Sequence, residues 1–227
     1  MKNRNYFFTL TLASICLFQF ACMAQKNSTT DNIDKKVNSL IQTMTLEEKV
    51  GQMAQITLDV ITKGKDRFTS DEPVTLDPEA MKLAFGKYKI GSVLNTANNR
   101  ARTPEVWYRI ISEIQKEGTG RLKIPIIYGI DAIHGATYTA GATFFPQQIG
   151  QAATRNLDLI KKGAQITAYE TRASGIPWNF SPVLDLGPDP RFPRIWETYG
   201  EDPYLTTQIG KVVIKGYEGD DNNVEDP

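Results

Sequence analysis

The feature that most constrains the fold is the alternation of short apolar runs with segments of helical periodicity. Residues 53–56, 90–94, 124–130 and 178–186 are apolar runs of strand length, and the last of them contains Pro182. Short buried strands that alternate with helices are typical of βαβ units and of a mostly parallel sheet. The sequence therefore predicts an α/β fold.

Capping residues mark the predicted helices. Thr45 and Glu48 have the spacing of a capping box and follow an apolar repeat with helical spacing over residues 33–44. Three further helices are predicted from Pro104 to Gly118, from Asn156 to Gly175 and from Asp202 to Gly216.

The number of units narrows the choice of architecture. Successive strands lie about 35 to 55 residues apart, which is generous for a doubly wound sheet and normal for a (β/α)₈ barrel with long loops. Only about four βα units can be counted, whereas a closed barrel needs eight. Half a barrel would expose two strand edges and its interior. The chain is therefore either a smaller open sheet or the front part of a longer protein.

The first residues have the composition of a secretory signal peptide. Lys2 and Arg4 precede an apolar run over residues 6–20, and small residues then stand before Gln25. The run is shorter than the roughly 20 apolar residues that a membrane span needs. We predict a signal peptide over residues 1–24 and a periplasmic or secreted mature protein.

Both cysteines, Cys16 and Cys22, lie in this segment. A lipid anchor on Cys22 is the alternative to cleavage, and membrane attachment is expected only in that case. The mature chain, residues 25–227, then has no intrachain disulfide and depends on its core.

Composition excludes several classes of partner. The 227 residues include 26 Lys and Arg and 26 Asp and Glu, so no basic surplus indicates nucleic acid.

His134 is the only histidine, which excludes a catalytic triad or a multi-histidine zinc site that does not include it. We expect His134 to bond to backbone or to Asp131. No metal-ligand cluster, phosphate loop or cofactor motif is present, so no metal and no cofactor are expected.

Asp131 is the first candidate site residue, because it falls where the third strand ends. In a parallel barrel this rim is where sites are built. A carboxylate there can accept hydrogen bonds from two hydroxyl groups of a sugar at once. The alternative is an aspartate that caps its own turn. Asp185 is also predicted to lie near a strand end.

The loop of residues 189–203 carries two arginines on backbone that three prolines keep irregular. One guanidinium, of Arg191 or Arg194, can fork onto a carboxylate inside the loop while the other donates to a ligand. Asp202 is predicted to cap the next helix. Glu197 is either a brace within the loop or a site residue.

Each tryptophan could be either a core residue or a residue that stacks on a sugar. Trp107 lies within a helical pattern and is predicted to be a core residue. Trp196 lies in the rim loop, where it can stack on a sugar or pack beneath the loop.

Five ordered motifs together resemble the glycoside hydrolase family 3 β-glucosidases. They occupy residues 44–53, 129–135, 141–146, 180–185 and 189–203. The resemblance implies the front part of a (β/α)₈ TIM-like barrel, incomplete in this chain, whose rim holds the glucosyl unit at the non-reducing end of the substrate.

The resemblance also implies two substrate-binding residues. Asp131 matches the family's sugar-binding aspartate, and Arg194 matches the second arginine of its Asp-Pro-Arg-Trp-Gly-Arg motif. Phe192 and Pro193 depart from that motif, and we expect the arginine contact to survive them. The family's nucleophilic aspartate and its acid/base glutamate are expected beyond Pro227, so no catalytic residue is assigned.

The implied activity is hydrolysis of terminal non-reducing β-D-glucosyl residues from β-glucosides or oligosaccharides, by a retaining mechanism in the full-length enzyme. The chain alone is expected to be inactive. The alternatives are another activity of the family, β-xylosidase or β-N-acetylhexosaminidase, and a truncated protein that binds carbohydrate without catalysis.

Overall fold

The computed structural model describes residues 32–120 and 123–219. Contacts divide the chain into two compact units at the Lys49–Val50 bond. The predicted signal peptide and Cys22 lie outside the described residues. Within the described ranges, no helix is long and apolar enough to cross a membrane.

The first unit contains helix α1, over residues 32–43, and the start of α2, Leu46–Gln52. The predicted capping box is present, because the Thr45 N–H donates to Glu48 Oε2 (2.9 Å) and the Glu48 N–H donates to Thr45 Oγ1 (3.3 Å). The apolar repeat of α1 is helical as predicted, and its large apolar side chains are solvent-exposed.

The second unit contains a four-stranded parallel sheet in the order β1-β2-β3-β4. The strands are β1 Gln55–Thr57, β2 Ser92–Leu94, β3 Ile127–Ile130 and β4 Trp178–Asn179. Each strand pairs with the strand that precedes it in the sequence, which is the order of strands in a (β/α)₈ barrel. The predicted parallel α/β arrangement is confirmed.

Helices lie between these strands and after the last of them. Those between strands are α3 Pro78–Met81, α4 Pro104–Gly118, α5 Gln148–Ala153 and α6 Leu157–Ala173, and α7 Pro203–Glu218 follows β4. A π-helical segment, Lys82–Lys87, continues α3, and short 3₁₀ turns occur at Leu58–Ile61, Ala97–Asn99 and Ile195–Glu197. The three long helices begin at or next to the predicted residues. The short helices α3 and α5 were not predicted, because so few turns show no clear periodicity.

Strand β4 is shorter than predicted. Its two residues are followed by irregular backbone through 186, where the apolar run had predicted a strand. Pro182 has no N–H to donate to a neighbouring strand. Asp185 consequently lies six residues beyond the end of β4, in an exposed loop, and the prediction that places it near a strand end is wrong.

The main core lies between the sheet and α4. Trp107 is completely buried, packs edge-to-face on Tyr128 with ring centroids 5.6 Å apart, and donates from Nε1 to the Tyr138 carbonyl (3.0 Å). This confirms the prediction that Trp107 is a core residue.

A smaller core joins α6 to α7. Its members include Ala164, Ile209 and Val213, all buried. A Cβ atom on Gly216 would lie 2.6 Å from Ala164 Cβ, so glycine is what allows the two helices to approach this closely.

Candidate functional site

Asp131 follows the last residue of β3, and Asn95 follows the last residue of β2. Because the strands are parallel, both side chains lie at the same edge of the sheet. Asn95 Nδ2 donates to Asp131 Oδ2 (2.9 Å), and the Asp131 N–H donates to Asn95 Oδ1 (3.2 Å). Among the described residues, Asp131 Oδ1 accepts no hydrogen bond. The carboxylate therefore has one oxygen held by the protein and one available to a ligand.

The backbone that follows Asp131 is held from the other side by β4. Asn179, the last residue of β4, accepts from the Ala132 N–H (3.0 Å) and donates to the Ala132 carbonyl (3.3 Å). Asp131 is thus positioned by both neighbouring strands. The alternative in which Asp131 caps its own turn has no matching hydrogen bond in the described part of the chain.

Arg194 lies in the loop that follows β4 and pairs with Glu197, a residue of the Ile195–Glu197 turn. Its Nε donates to Glu197 Oε2 (2.8 Å), and its Nη2 donates to the same oxygen. The hydrogen bond and the charge of Glu197 raise the pKa of the Arg194 guanidinium, and the charges of Asp131 and Asp185 add smaller contributions. Arg194 and Asp131 are therefore close enough to interact electrostatically.

The two arginines of the loop differ in their surroundings. Arg191 forks onto Asp189, with Nε 3.0 Å from Oδ1 and Nη2 2.6 Å from Oδ2, and its side chain is almost fully exposed. This is the pairing within the loop that was expected of one arginine. Arg194 is also paired, which was not expected, and Glu197 is its brace.

The Tyr138 hydroxyl is affected by the charges of both Asp131 and Glu197. Burial is the main reason that the pKa of its hydroxyl is raised, and the carboxylates of Asp131 and Glu197 raise it further. The Tyr138 carbonyl is fixed by the Trp107 indole and by the Arg102 N–H (2.9 Å). Packing under the rim thus sets the position of Tyr138 relative to Asp131.

An ion pair between buried Arg102 and the more exposed Glu72 supports the loop that follows Asn95. Arg102 donates from Nη1 and Nη2 to the two oxygens of Glu72 (2.6 and 2.7 Å), and from Nη2 to the Ala97 carbonyl (2.8 Å). The Arg102 hydrogen bonds are the main reason that the pKa of Glu72 is lowered to about 2. Asn98 also donates to Glu72 (3.0 Å), so the Ala97–Asn99 turn is tied to the loop after β1.

Within the part of the chain that the structure describes, His134 makes no hydrogen bond to Asp131. Its Nδ1 lies 2.9 Å from the Phe145 carbonyl oxygen, and its ring packs edge-on against Phe144 at 4.7 Å. The expectation of a bond to backbone is confirmed. His134 instead lines a mostly apolar cavity of about 290 Å³ beside α5, α6 and α7, whose lining residues do not include Asp131 or Arg194.

Trp196 is 47% exposed in the turn between Arg194 and Glu197, so about half of its surface is accessible to a ligand. In the ranges 32–120 and 123–219, no three His, Cys, Asp or Glu side chains are grouped so as to hold a metal ion. The arrangement can therefore offer one carboxylate, one guanidinium and an exposed aromatic face to a polyhydroxylated ligand.

Asn95 and Asn179 were missed in the sequence. Asn95 follows the apolar run of residues 90–94, so the rule that identified Asp131, a polar residue at a strand end, applies to it. Asn179 lies near the start of the run of residues 178–186, and only the structure shows that the strand ends there. Tyr138 carries no such signal.

Comparison with known proteins identifies the family. The sequence profile of the glycosyl hydrolase family 3 N-terminal domain matches residues 45–224. The lysosomal β-glucosidase of Dictyostelium discoideum is 39% identical over 204 residues, which cover 86% of this chain and 24% of that protein. The periplasmic β-glucosidase of Salmonella typhimurium is 30% identical over 188 residues, which cover 82% of this chain and 21% of that protein.

Solved structures agree with these relatives. An exo-1,3/1,4-β-glucanase from a Pseudoalteromonas species is 33% identical with a TM-score of 0.67, over 83% of this chain and 22% of that one. A mutant β-glucosidase from Listeria innocua in complex with laminaribiose is 32% identical with a TM-score of 0.63, over 82% of this chain and 24% of that one.

The fold class is thus an α/β fold of the TIM-barrel type. The chain belongs to glycoside hydrolase family 3. It spans about a quarter of the length of the relatives it matches.

Proposed function

We propose that the chain forms the part of a β-glucosidase that holds the sugar. The full-length enzyme would hydrolyse terminal non-reducing β-D-glucosyl residues from β-glucosides or oligosaccharides. The relatives at 39% and 30% identity are both β-glucosidases, and this supports the choice of sugar.

The observation that carries the proposal is the position of Asp131 at the carboxyl end of β3, with Oδ2 held by Asn95 and with no hydrogen bond to Oδ1 from the described residues. Arg194 lies in the loop after β4, and the charge of Asp131 adds a small contribution to its raised pKa. A pyranose offers adjacent hydroxyl groups that both donate and accept hydrogen bonds. Asp131 Oδ1 would accept from them, and the Arg194 guanidinium would donate to them. Hydrogen bonds to charged groups are stronger than neutral ones and suit a small polar ligand that has little apolar surface to bury.

The bond-breaking step requires two more carboxyl groups. In retaining glycosidases these lie about 5 to 5.5 Å apart, one attacking the anomeric carbon and the other protonating the leaving oxygen. We assign neither role to Glu197, since it is occupied by Arg194, nor to Glu201. The described residues would bind and orient the sugar while other carboxylates act on it.

The test is the full-length protein and its Asp131→Asn variant, assayed with 4-nitrophenyl β-D-glucoside. Asparagine keeps the shape of aspartate but replaces a charged acceptor with a neutral one. We expect kcat/KM to fall by about 100-fold or more, since two charge-assisted hydrogen bonds are weakened. Asp189→Asn, which neutralises a partly exposed carboxylate of the loop of residues 189–203, is the matched control and should retain activity. Equal activity in the wild type and Asp131→Asn would contradict the proposal.

A second candidate activity is β-xylosidase. A β-xylosidase from Formosa agariphila is 31% identical over 210 residues, a similarity comparable with that of the Salmonella β-glucosidase. Xylose lacks the hydroxymethyl group of glucose. Parallel assays with 4-nitrophenyl β-D-glucoside and β-D-xyloside separate the two, and we expect the glucoside to have the higher kcat/KM.

We also propose that residues 25–227 alone do not hydrolyse glycosides. A glucosyl unit at the mouth of a barrel is held by side chains from many strands, and the described residues provide four. Turnover of the aryl glucoside by these residues alone, well above background, would refute this statement.

Export of the protein is the last part of the proposal. It rests on the signal-peptide pattern of residues 1–24 and on the Salmonella relative, which is named as periplasmic. Cell fractionation, with mass determination of the mature N-terminus, tests it and also separates cleavage before Gln25 from lipidation of Cys22.

A further inference from the structure

Asn95 makes four hydrogen bonds to the third strand and to the residue that follows it. Its N–H donates to the Gly129 carbonyl (2.9 Å), and its own carbonyl accepts from the Tyr128 hydroxyl (2.6 Å). Its side-chain amide makes the other two, both to Asp131. Every hydrogen-bonding group of Asn95 is thus directed at one short segment.

The backbone conformation of Asn95 explains this geometry. Its φ of +59° lies in the left-handed region, which turns the chain sharply at the end of β2. Asparagine tolerates this region better than most residues do. The turn that follows is anchored by Arg102, which donates to the Ala97 carbonyl (2.8 Å).

The two bonds to Asp131 use both ends of the amide. The side-chain oxygen of Asn95, Oδ1, accepts a hydrogen bond from the Asp131 N–H. The side-chain NH₂ group is then free to donate to the Asp131 carboxylate. An ionised carboxylate only accepts, so its rotation is fixed only if a donor is present. Asn95 supplies that donor to Oδ2, and Oδ1 is left directed away from it.

We propose that Asn95 is the positioning residue for Asp131, setting the carboxylate rotation in which Oδ1 meets the sugar hydroxyl groups. Asn95 acts through Asp131 and not on the sugar. The inference rests on the proposed function and adds a determinant of sugar affinity to it.

Asn95→Asp in the full-length protein is the decisive variant. Aspartate keeps the size of the side chain and the acceptor for the Asp131 N–H, but it replaces the donor with an oxygen. The introduced carboxylate at position 95 then lies within hydrogen-bond distance of the Asp131 carboxylate, and the two negative charges repel each other. A carboxylate pair of this kind takes up one shared proton at a higher pH than an isolated carboxylate does. At low pH the shared proton restores a donor.

We expect kcat/KM for 4-nitrophenyl β-D-glucoside to fall by about 10- to 100-fold at pH 7 relative to the wild type. The ratio of variant to wild type should rise again toward pH 4.5. Asn95→Gly, which suits the left-handed backbone but has no side chain, should show the loss without the recovery. Thermal unfolding of each variant shows that it is folded.

Asn99→Asp is the matched control. Asn99 also has a left-handed backbone, with φ +51°, lies four residues away and is exposed. Its variant should match the wild type at every pH. If Asn95→Asp also matches the wild type, or loses the same factor at every pH, the positioning role is overturned. If the wild type neither cleaves the glucoside nor binds glucose in calorimetry, the proposed function itself is contradicted. This outcome is seen in the wild type alone and does not depend on the Asn95 variants.

Discussion

Arg194 donates two hydrogen bonds, from Nε and Nη2, to a single oxygen of Glu197. The Glu197 side chain is only 14% exposed, whereas that of Arg194 is 60% exposed. The carboxylate therefore lies beneath the guanidinium and supports it from the protein side. Within the described ranges Nη1 makes no hydrogen bond, so one edge of the guanidinium remains available to a ligand.

Removal of the brace should weaken sugar binding more than it weakens the fold. In Glu197→Gln the guanidinium loses a charged partner and samples more orientations, so we expect KM for an aryl glucoside to rise by about tenfold, with a small change in melting temperature. Steady-state kinetics of the full-length enzyme measure this. Arg191→Ala, which breaks the exposed Asp189 pair, should leave KM unaltered. An unchanged KM in Glu197→Gln would show that Arg194 does not depend on its brace.

The ion pair of Glu72 and Arg102 should make stability depend on pH. The pKa of Glu72 is lowered from 4.5 to about 2 in the folded protein, so the ionised carboxylate stabilises the fold at pH values above about 4.5. This contribution is lost as pH falls from about 4.5 to 2. Allowing for solvent screening, we expect it to amount to about 1 to 2 kcal/mol.

The measurement is the melting temperature of the wild type and Glu72→Gln between pH 6 and pH 2.5. The difference between them should shrink on acidification, because protonation removes from the wild type what the variant already lacks. Glu113→Gln, which breaks an exposed helical pair with Arg109, should show almost no difference at any pH. If the difference in melting temperature between the wild type and Glu72→Gln stays constant with pH, ionisation of Glu72 is not the source of the pH dependence.

Replacement of Trp107 by Phe should destabilise the core and disturb the site together. The variant loses the indole N–H that satisfies the Tyr138 carbonyl, which costs about 1 to 3 kcal/mol in addition to the lost packing. Urea unfolding measures the stability, and kcat/KM should fall with it. Trp178→Phe is the control, since Trp178 is 42% exposed, and should change stability by less than about 0.5 kcal/mol. Equal free energies of unfolding for the two variants would contradict the stabilising role of the hydrogen bond from the Trp107 indole to the Tyr138 carbonyl.

Asp202 is predicted to act only on helix stability. It caps α7 through Oδ1, which accepts from the N–H groups of Tyr204 (2.8 Å) and Leu205 (3.3 Å). Asp202→Ala should cost about 0.5 to 2 kcal/mol, and Asp202→Ser should recover most of it. The KM of both variants should equal that of the wild type. A raised KM in the stable serine variant would place Asp202 in the site instead.

The features that could be predicted from the sequence are those set by neighbouring residues. Thr45 with Glu48, and Asp202 before Pro203, act over a few residues, so their signals are readable in the chain itself. Asp131 could be identified as a strand-end carboxylate for the same reason. Its part in sugar binding stays a prediction, as does that of Arg194.

The features that were missed depend on contacts between distant residues. Asn95 reaches Asp131 across 36 positions, and Asn179 reaches Ala132 across 47. The pairing of Arg194 with Glu197 is local, but four carboxylates and two arginines in one loop allow several pairings, and no residue pattern selects among them. The length of β4 was overestimated because an apolar run does not by itself show hydrogen bonding to a neighbouring strand.

The sequence by itself determined the alternation of strands and helices, the capped starts of the helices and the family to which the motifs belong. These depend on side-chain periodicity and on local hydrogen bonds, which act before the chain is compact. Only the tertiary structure decided which amide holds the Asp131 carboxylate and which carboxylate supports the Arg194 guanidinium. The Asn95 amide is selected when parallel strands bring their carboxyl ends to one edge, because a hydrogen bond requires atoms within about 3 Å whatever their separation in the chain. The Glu197 carboxylate is selected by the folded shape of the loop, which brings one of its several carboxylates to Arg194.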